Sequence, residues 1–248
     1  MNIKKLISKP SKKILNYLNR LLVFIYDNGL SIKKKKKIHN SYNLYLDEEI
    51  KKSYQYFKKY FGNSIFLDKV EIKKYAIDKA LKFHGSDENS FCLEFGVYIG
   101  RSINIISSRM GNKKLYGFDS FVGLKEDWKG SSLKAGHFNL NENLPKVNSN
   151  CILIKGWINE TLPNFISENN VKNVSFVHVD VDTYETTKFI LETLKPMMKK
   201  NSIILFDEIY DIPGWEVGEY KALKEVFNEN EFSFIAFSKN GGQAVVQL

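Results

Sequence analysis

Two carboxylates lie close together near the end of an apolar stretch, FVHVDVDTYETT, at residues 176–187. Apolar residues alternate there with His178, Asp180 and Asp182, which is the period of a strand with one face against the protein interior. An unpaired carboxylate is costly to bury, because its charge loses the stabilisation that water provides. The pattern therefore predicts a cationic or hydrogen-bond-donating partner beside these acids.

A glycine-bearing turn, EFGVYIGRS, occupies residues 94–102 and follows a short apolar run. Glycine between a strand and a helix lets a ligand approach backbone N–H groups closely. The spacing is E-x-G-x-x-x-G rather than the G-x-G-x-x-G of dinucleotide-binding folds, and an acid in first position would repel a pyrophosphate. An ammonium group would suit that acid, which favours S-adenosylmethionine, a nucleoside with a cationic amino-acid tail. We predict four donor-binding residues in this turn, Glu94, Gly96, Gly100 and Ser102; a structural turn with an exposed glutamate is the alternative.

A second acid, Asp119, ends the run YGFD and lies 25 residues after Glu94. An acid at the tip of the second strand can accept hydrogen bonds from both ribose hydroxyls of a nucleoside bound over the first turn. We favour this ribose role for Asp119, while an N-cap of the following helix is the alternative.

Five blocks give the chain a family resemblance; in chain order they are LEFGVYIGRS, YGFDSFVGL, LIKGWINETLP, HVDVDTYETT and ILFDEIYDIPGW. They resemble the macrocin O-methyltransferase (TylF-like) family, most of all the branch encoded with bacterial surface-polysaccharide genes. The resemblance covers roughly residues 88–248. It implies a class I methyltransferase fold, S-adenosylmethionine as the methyl donor, and a sugar hydroxyl of a surface polysaccharide or of a nucleotide- or lipid-linked precursor as the acceptor.

The resemblance also implies a magnesium ion, which better-studied members bind through three acids at the ends of the fourth and fifth strands. The matching positions here are Asp182, Asp207 and Glu208. The macrolide branch has Asp-Asp where this chain has Asp207-Glu208. Asp180 is expected in a supporting role beside the metal or the methionine tail, and His178 as a donor behind the site or as a core histidine.

This arrangement implies a mechanism. Magnesium would lower the pKa of a sugar hydroxyl and align it with the donor methyl. Asp182 could then take the hydroxyl proton as a general base. His137, in a loop after the second strand, is the second candidate base, with an ordinary surface histidine as its alternative.

Two tryptophans are candidates for walls of the site. Trp157 follows the third strand, where an aromatic ring can pack against adenine, although core packing explains it nearly as well. Trp215 follows the metal acids and could offer an apolar face to a pyranose ring, with a structural role at a helix start as the alternative.

The elements that must position these residues follow from periodicity. Short β-type runs occur at 91–96, 114–119, 151–156, 174–182, 202–208, 232–238 and 243–248. Helical stretches occur at roughly 100–110, 160–169, 184–198 and 217–229. Five strands separated by helices, and then a closely spaced pair, predict a doubly wound, Rossmann-like, seven-stranded sheet with helices on both faces and a C-terminal antiparallel hairpin. Residues 45–85 have a helical pattern that stops at His84-Gly85.

The charge of the chain is concentrated at its N-terminal end. Residues 1–38 contain eleven lysines and arginines and one aspartate, a net of +10, which leaves −1 of the total +9 for residues 39–248. Apolar residues recur there at helical spacing, namely Ile14, Leu18, Leu21, Leu22 and Ile25, which predicts an amphipathic helix. We therefore predict a basic, partly helical extension over residues 1–44 and a methyltransferase domain over residues 45–248.

Several partners remain open for the extension. It could lie on an anionic membrane surface through residues 1–38, pack on the domain or on a second copy in a homodimer, or bind nucleic acid. The near-neutral domain disfavours nucleic acid, because a duplex reader usually has a basic face around its site. Cys92 and Cys151 look like packing residues of a reducing compartment, and no signal peptide is evident, so we expect a cytoplasmic protein, peripheral at the inner membrane face if the extension binds lipid.

The sequence leaves two alternatives to a sugar O-methyltransferase. A nucleic-acid or small-molecule methyltransferase of the same fold is one alternative. A non-catalytic domain that binds S-adenosylmethionine and has a lipid-binding basic tail is another, and the acids at three strand ends argue against it.

Overall fold

The computed structural model describes residues 40–125, 127–128 and 132–248. Residues Tyr45–Leu248 form one compact unit. The unit that precedes it, Met1–Leu44, falls almost wholly outside the described residues, as does the predicted amphipathic helix. The basic extension, its boundary and its partners therefore remain predictions.

The described residues form six α-helices and eight β-strands. The helices are α1 (Ser41–Phe61), α2 (Glu71–His84), α3 (Arg101–Ser107), α4 (Ile158–Glu168), α5 (Tyr184–Leu194) and α6 (Glu219–Val226). The strands are β1 (Ile65–Leu67), β2 (Ser90–Phe95), β3 (Leu115–Asp119), β4 (Cys151–Lys155), β5 (Asn173–Val179), β6 (Met198–Tyr210), β7 (Ser233–Ser238) and β8 (Gly242–Gln247). No described helix is both long enough and apolar enough to cross a bilayer.

One mixed sheet contains all eight strands, in the order β1-β7-β8-β6-β5-β2-β3-β4. Strands β4, β3, β2, β5 and β6 run parallel, and β8 pairs antiparallel with both β6 and β7. The chain moves outward from β2 to β3 and β4, then returns to β5 and β6 on the other side, so the strand order reverses between β2 and β5. This is the class I methyltransferase fold, and the prediction of a doubly wound sheet with a C-terminal antiparallel hairpin is confirmed.

The sheet has one strand more than the sequence indicated. β1 pairs parallel with β7 at the sheet edge, within the stretch that was expected to be helical throughout. Three apolar residues are too few to show a strand period, and pairing with a strand about 170 residues away decides their structure. The Ser64 hydroxyl reinforces that pairing by donating to the Phe234 carbonyl oxygen at 2.9 Å.

Helix α2 illustrates how the helices cover the sheet. Its fully buried residues Ile72, Ala76, Ile77 and Ala80 recur at helical spacing, so one face packs on the strands. Asp68 precedes the helix and accepts the backbone N–H groups of Val70 and Glu71 at 3.1 and 2.9 Å, which satisfies donors that the helix leaves free. The helix ends at His84, as predicted.

Candidate active site

A cavity of about 590 Å³ opens at the carboxyl ends of β2, β3, β5 and β6. Parallel strands end at the same edge of a sheet, and the reversal of strand order leaves a crevice there. Eight predicted site residues line the cavity: Gly96, Ser102, Asp119, Trp157, Asp180, Asp182, Asp207 and Glu208. Three others, Glu94, Gly100 and His137, do not line it.

The two glycines of the turn after β2 have positive φ angles and separate roles. At Gly96, φ is +85°, and a Cβ would come within 1.7 Å of the Asp180 carbonyl oxygen. Only glycine therefore lets the turn lie against the chain that leaves β5. Gly100, with φ +81°, precedes α3 and packs near Pro145 and Val147. Its role is to shape the turn, and it has no contact with the cavity.

Asp119 holds this turn in place. Its Oδ2 accepts the backbone N–H groups of Val97 and Tyr98 at 2.9 and 2.7 Å, and its Oδ1 accepts that of Phe121 at 2.7 Å. A carboxylate has about four acceptor positions, so three of them serve the protein itself. Asp119 lines the cavity, and a ribose contact would use its remaining capacity.

Glu94 is fully buried and does not line the cavity. The structure therefore gives no support to the predicted direct contact with a donor ammonium. The Ser102 hydroxyl donates to its Oε1 at 2.7 Å, and its Oε2 lies 3.3 Å from His178 Nδ1. The alternative of an exposed glutamate is wrong as well. Glu94 therefore contacts Ser102, which lines the cavity, and His178.

His178 is fully buried between two carboxylates, because its other ring nitrogen, Nε2, lies 3.6 Å from Asp207 Oδ1. Burial lowers the pKa of His178, but the Asp207 and Glu94 carboxylates outweigh that effect and raise the pKa to about 9. The sequence predicted a cationic partner beside the buried acids, and protonated His178 is one such partner. The histidine is thus more than a packing residue of the core.

The second partner is Lys73 of α2, whose Nζ lies 3.0 Å from Asp207 Oδ1. The side-chain amide of Gln243 in β8 donates to the same oxygen. Burial raises the pKa of Asp207, but His178 and Lys73 together hold it below its ordinary value. The sequence placed no lysine near these acids, because Lys73 lies 134 residues earlier in the chain.

The three acids predicted to bind a metal together, Asp182, Asp207 and Glu208, fall into two different groups in the structure. Successive side chains of a strand point to opposite faces, which separates Asp207 from Glu208. One oxygen each from Asp180, Asp182 and Glu208 lie within 4.8 Å of one another; these three residues are called the acid cluster below. Asp207 shares a second group of the same dimension with His178 and Asp180.

Electrostatics mark the acid cluster as a place for a cation. Burial and the charge of Asp207 raise the pKa of Asp182 to about 7, and they also raise the pKa values of Asp180 and Glu208 well above the ordinary range. None of the three forms an ion pair with a described lysine or arginine, and Glu208 Oε2 is buried without a hydrogen-bond partner in the described part of the chain. Three hard oxygen donors that repel one another fit a divalent cation such as magnesium.

Glu219, at the start of α6, is a buried acid that sequence reasoning missed. Its Oε2 accepts the backbone N–H of Glu208 at 2.9 Å, and burial raises its pKa well above the ordinary value. Acids are common in the first turn of any helix, so the sequence contains no signal that distinguishes this one. Glu219 fixes the backbone that presents Glu208.

Aromatic rings form the outer walls. Trp157 precedes α4 and lines the cavity, with Lys125 Nζ 5.6 Å from its ring centre. Tyr98 and Phe138 also line it and contact each other edge to face, 5.1 Å between ring centres. Neither was singled out from the sequence, because isolated aromatics in loops have no pattern.

Two predicted residues lie elsewhere. His137 is exposed and outside the cavity lining; its neighbour Phe138 faces the cavity instead. A base role for His137 has no geometric support. Trp215 is buried, 1% exposed, among Tyr56, Phe57 and Tyr220, so its predicted contact with a sugar is wrong and its structural alternative is correct.

Comparison with known proteins agrees with this fold. Residues 93–209 match the family model described as a methyltransferase domain. The crystal structure of CalS11, a calicheamicin methyltransferase, is similar at 20% identity over 97% of this chain and 94% of that one, with a TM-score of 0.59. The apo structure of CalS11, described as a TDP-rhamnose 3'-O-methyltransferase, is similar at 20% identity over 100% and 99%, with a TM-score of 0.53.

The O-methyltransferase NovP is a third similar structure, at 15% identity over 83% of this chain and 98% of that one, with a TM-score of 0.50. No curated protein matches the sequence. At identities of 20% or less, these similarities show the fold but do not show which acceptor the protein uses. The fold is that of class I methyltransferases, and the matched residues, 93–209, contain the glycine turn and all three members of the acid cluster.

Proposed function

We propose that the protein is an S-adenosylmethionine-dependent O-methyltransferase that acts on a sugar hydroxyl. One observation carries the proposal: the acid cluster lies in the same cavity as the glycine turn, at the edge of the sheet where strand order reverses. This arrangement supports a cation site beside a nucleoside site. The methyltransferase-domain match over residues 93–209 supports the reaction class.

The cavity suits the charge of the donor. S-adenosylmethionine has a sulfonium and an ammonium group, and five carboxylates line the cavity: Asp119, Asp180, Asp182, Asp207 and Glu208. Gly96 lines the cavity, so the backbone of the turn borders the space for a ligand. Trp157 offers a flat apolar face of the kind that an adenine ring packs against.

Asp180, Asp182 and Glu208 would hold the divalent cation, with Asp207 kept in place behind them by Lys73 and His178. Such an ion, when bound, lowers the pKa of an oxygen ligand and stabilises negative charge. Asp182 is the residue we assign as general base. It lines the cavity and belongs to the acid cluster, so its carboxylate would lie beside a hydroxyl that approaches the cation.

A carbohydrate acceptor fits the aromatic wall of the cavity. Tyr98 and Phe138 present partly exposed rings to the cavity, and aromatic faces are apolar surfaces suited to a pyranose ring. One similar structure is described as acting on TDP-rhamnose. The resemblance to the surface-polysaccharide branch supports an acceptor in polysaccharide biosynthesis, either free or linked to a nucleotide or a lipid.

Calorimetry with S-adenosylhomocysteine, the demethylated donor, tests the donor assignment. We expect saturable binding by the full chain, much tighter than the binding of NAD, because the acids at this edge disfavour a pyrophosphate in the donor site. Binding of NAD without binding of S-adenosylhomocysteine would refute the proposed function.

A further inference from the structure

Two exposed cations of the cavity lie where helices begin. The carboxylates lie at or near the carboxyl ends of the strands, whereas Lys69 lies just before α2, Lys73 is in its first turn and Arg101 begins α3. A further lysine of the lining, Lys125, lies beside Trp157. Lys73 is committed to Asp207. Lys69 and Arg101 are exposed side chains, and neither forms an ion pair or a hydrogen bond with any residue in the described ranges.

Helices α2 and α3 are linked by an ion pair, and both begin at the cavity. Arg109, just beyond α3, forms a two-pronged ion pair with Asp78 of α2, at 3.0 and 2.9 Å. Asp78 lies seven residues after the first residue of α2, and Arg109 eight residues after that of α3. The two helices are thus linked at similar distances from their starts, and both starts contribute residues to the same cavity.

Lys69 and Arg101 differ from many other exposed cations of the protein, which pair with carboxylates. Elsewhere many exposed lysines are matched by a nearby carboxylate, as in Lys52–Glu216, Lys155–Glu142 and Lys195–Glu231. Lys69 and Arg101 share a cavity with five carboxylates and pair with none of them. A ligand that satisfied both cations would have to carry at least two negative charges.

We propose that Lys69 and Arg101 form a subsite for the diphosphate of an activated sugar, so that the acceptor is a sugar diphosphate ester rather than a free or polymeric sugar. This rests on the proposed methyltransferase function and specifies its substrate class. A diphosphate is the group that carries two charges next to a sugar. Arginine pairs with phosphate oxygens through its fork of N–H donors, and lysine binds them as a point charge.

The subsite also orders the acceptor in the cavity. The acid cluster repels the diphosphate and so confines it to the wall of α2 and α3. The attached sugar then extends toward Asp182 and the aromatic pair of Tyr98 and Phe138, which line the same cavity. Lys69 and Arg101 would thus bind the diphosphate, while the acids act on the sugar hydroxyl.

Thymidine diphosphate and thymidine are the matched probes for calorimetry, since they differ only in the diphosphate. The measurements use the full chain in chelator, which removes any metal that could bridge the phosphates to the acids. We expect the Lys69→Gln and Arg101→Gln variants each to bind thymidine diphosphate about tenfold more weakly, which corresponds to about 1.4 kcal/mol, while thymidine binding is unchanged. Lys82→Gln, with the same charge loss at the other end of α2, is the control and should bind as the unaltered protein does.

S-adenosylhomocysteine binding, measured on the same variants, keeps the outcomes separate. Unchanged donor affinity with weakened diphosphate binding supports the subsite. Loss of donor affinity in Arg101→Gln with full thymidine diphosphate affinity would assign Arg101 to the donor carboxylate and overturn the proposal. Equal diphosphate binding by both variants and the Lys82→Gln control would also overturn it, and would leave the donor site standing.

Turnover then distinguishes the two sources of a sugar diphosphate. TDP-rhamnose and a short-chain polyprenyl diphosphate rhamnose share the diphosphate and differ in what lies beyond it. We expect kcat/KM for both to fall about tenfold in Lys69→Gln, because both contain the diphosphate. The ester with the higher kcat/KM in the unaltered protein identifies the natural carrier. Methylation of free rhamnose as efficient as that of both esters would contradict the subsite.

Discussion

At the scale of single residues, the acids of the cavity differ because their partners differ. Asp207 forms ion pairs with Lys73 and His178, whereas no member of the acid cluster forms an ion pair within the described part of the chain. The sequence predicted that buried acids at this edge need a partner, and the structure supplies two. It could not identify Lys73, because a contact across 134 residues leaves no local pattern.

Lys73→Met tests the role of that ion pair. Removing the lysine leaves Asp207 buried with one partner fewer, and breaking a buried ion pair costs about 3 kcal/mol of unfolding free energy. Urea denaturation measures the loss. The Lys73→Met/Asp207→Asn double variant should recover most of it, because the uncompensated charge is then gone, and Lys82→Met should change little. A double variant as unstable as the single one would show that Lys73 acts by packing rather than by charge.

At the scale of elements, the strands and helices that bear the site were predictable where their pattern was long. All seven predicted strands are present, since each run of alternating or continuous apolar residues has a place in the sheet. β1 was missed because its three residues gain their structure from β7. The grouping of the acids was predicted incorrectly for a related reason: sequence places Asp207 and Glu208 together, and the pleat of β6 turns them apart.

Gly96→Ala tests the close approach between the turn after β2 and the chain after β5. The new Cβ would meet the Asp180 carbonyl oxygen, and φ is +85°, so we expect a loss of about 2 kcal/mol or more in unfolding free energy and greatly weakened S-adenosylhomocysteine binding. Gly111→Ala is the matched control: its φ is +57° and its Cβ would meet nothing within 4 Å. It isolates the backbone cost from the collision. Equal effects of the two substitutions on donor binding would show that the approach at Gly96 does not matter.

At the scale of the whole molecule, charge divides the chain into two parts. The +10 of residues 1–38 stands against −1 for the rest, and the negative potential that suits a cationic donor belongs to the domain. We expect a form lacking residues 1–38 to bind S-adenosylhomocysteine as the full chain does. We expect only the full chain to bind vesicles containing anionic lipid, with an affinity that falls as salt rises. Vesicle co-sedimentation measures this, and equal binding by both forms would discard the membrane role.

The central claim is that the acid cluster supports methyl transfer to a sugar hydroxyl, and one assay tests it most directly. TDP-rhamnose and S-adenosylmethionine are incubated with the full chain, and mass spectrometry detects the addition of one methyl group to the sugar. We predict that transfer is lost in excess chelator and returns with magnesium. Asp182→Asn should abolish transfer while S-adenosylhomocysteine binding is retained, and Glu168→Gln, an exposed position at the end of α4, is the control and should leave both unchanged. Full methylation of the sugar in excess chelator, or by the Asp182→Asn variant, would contradict the account.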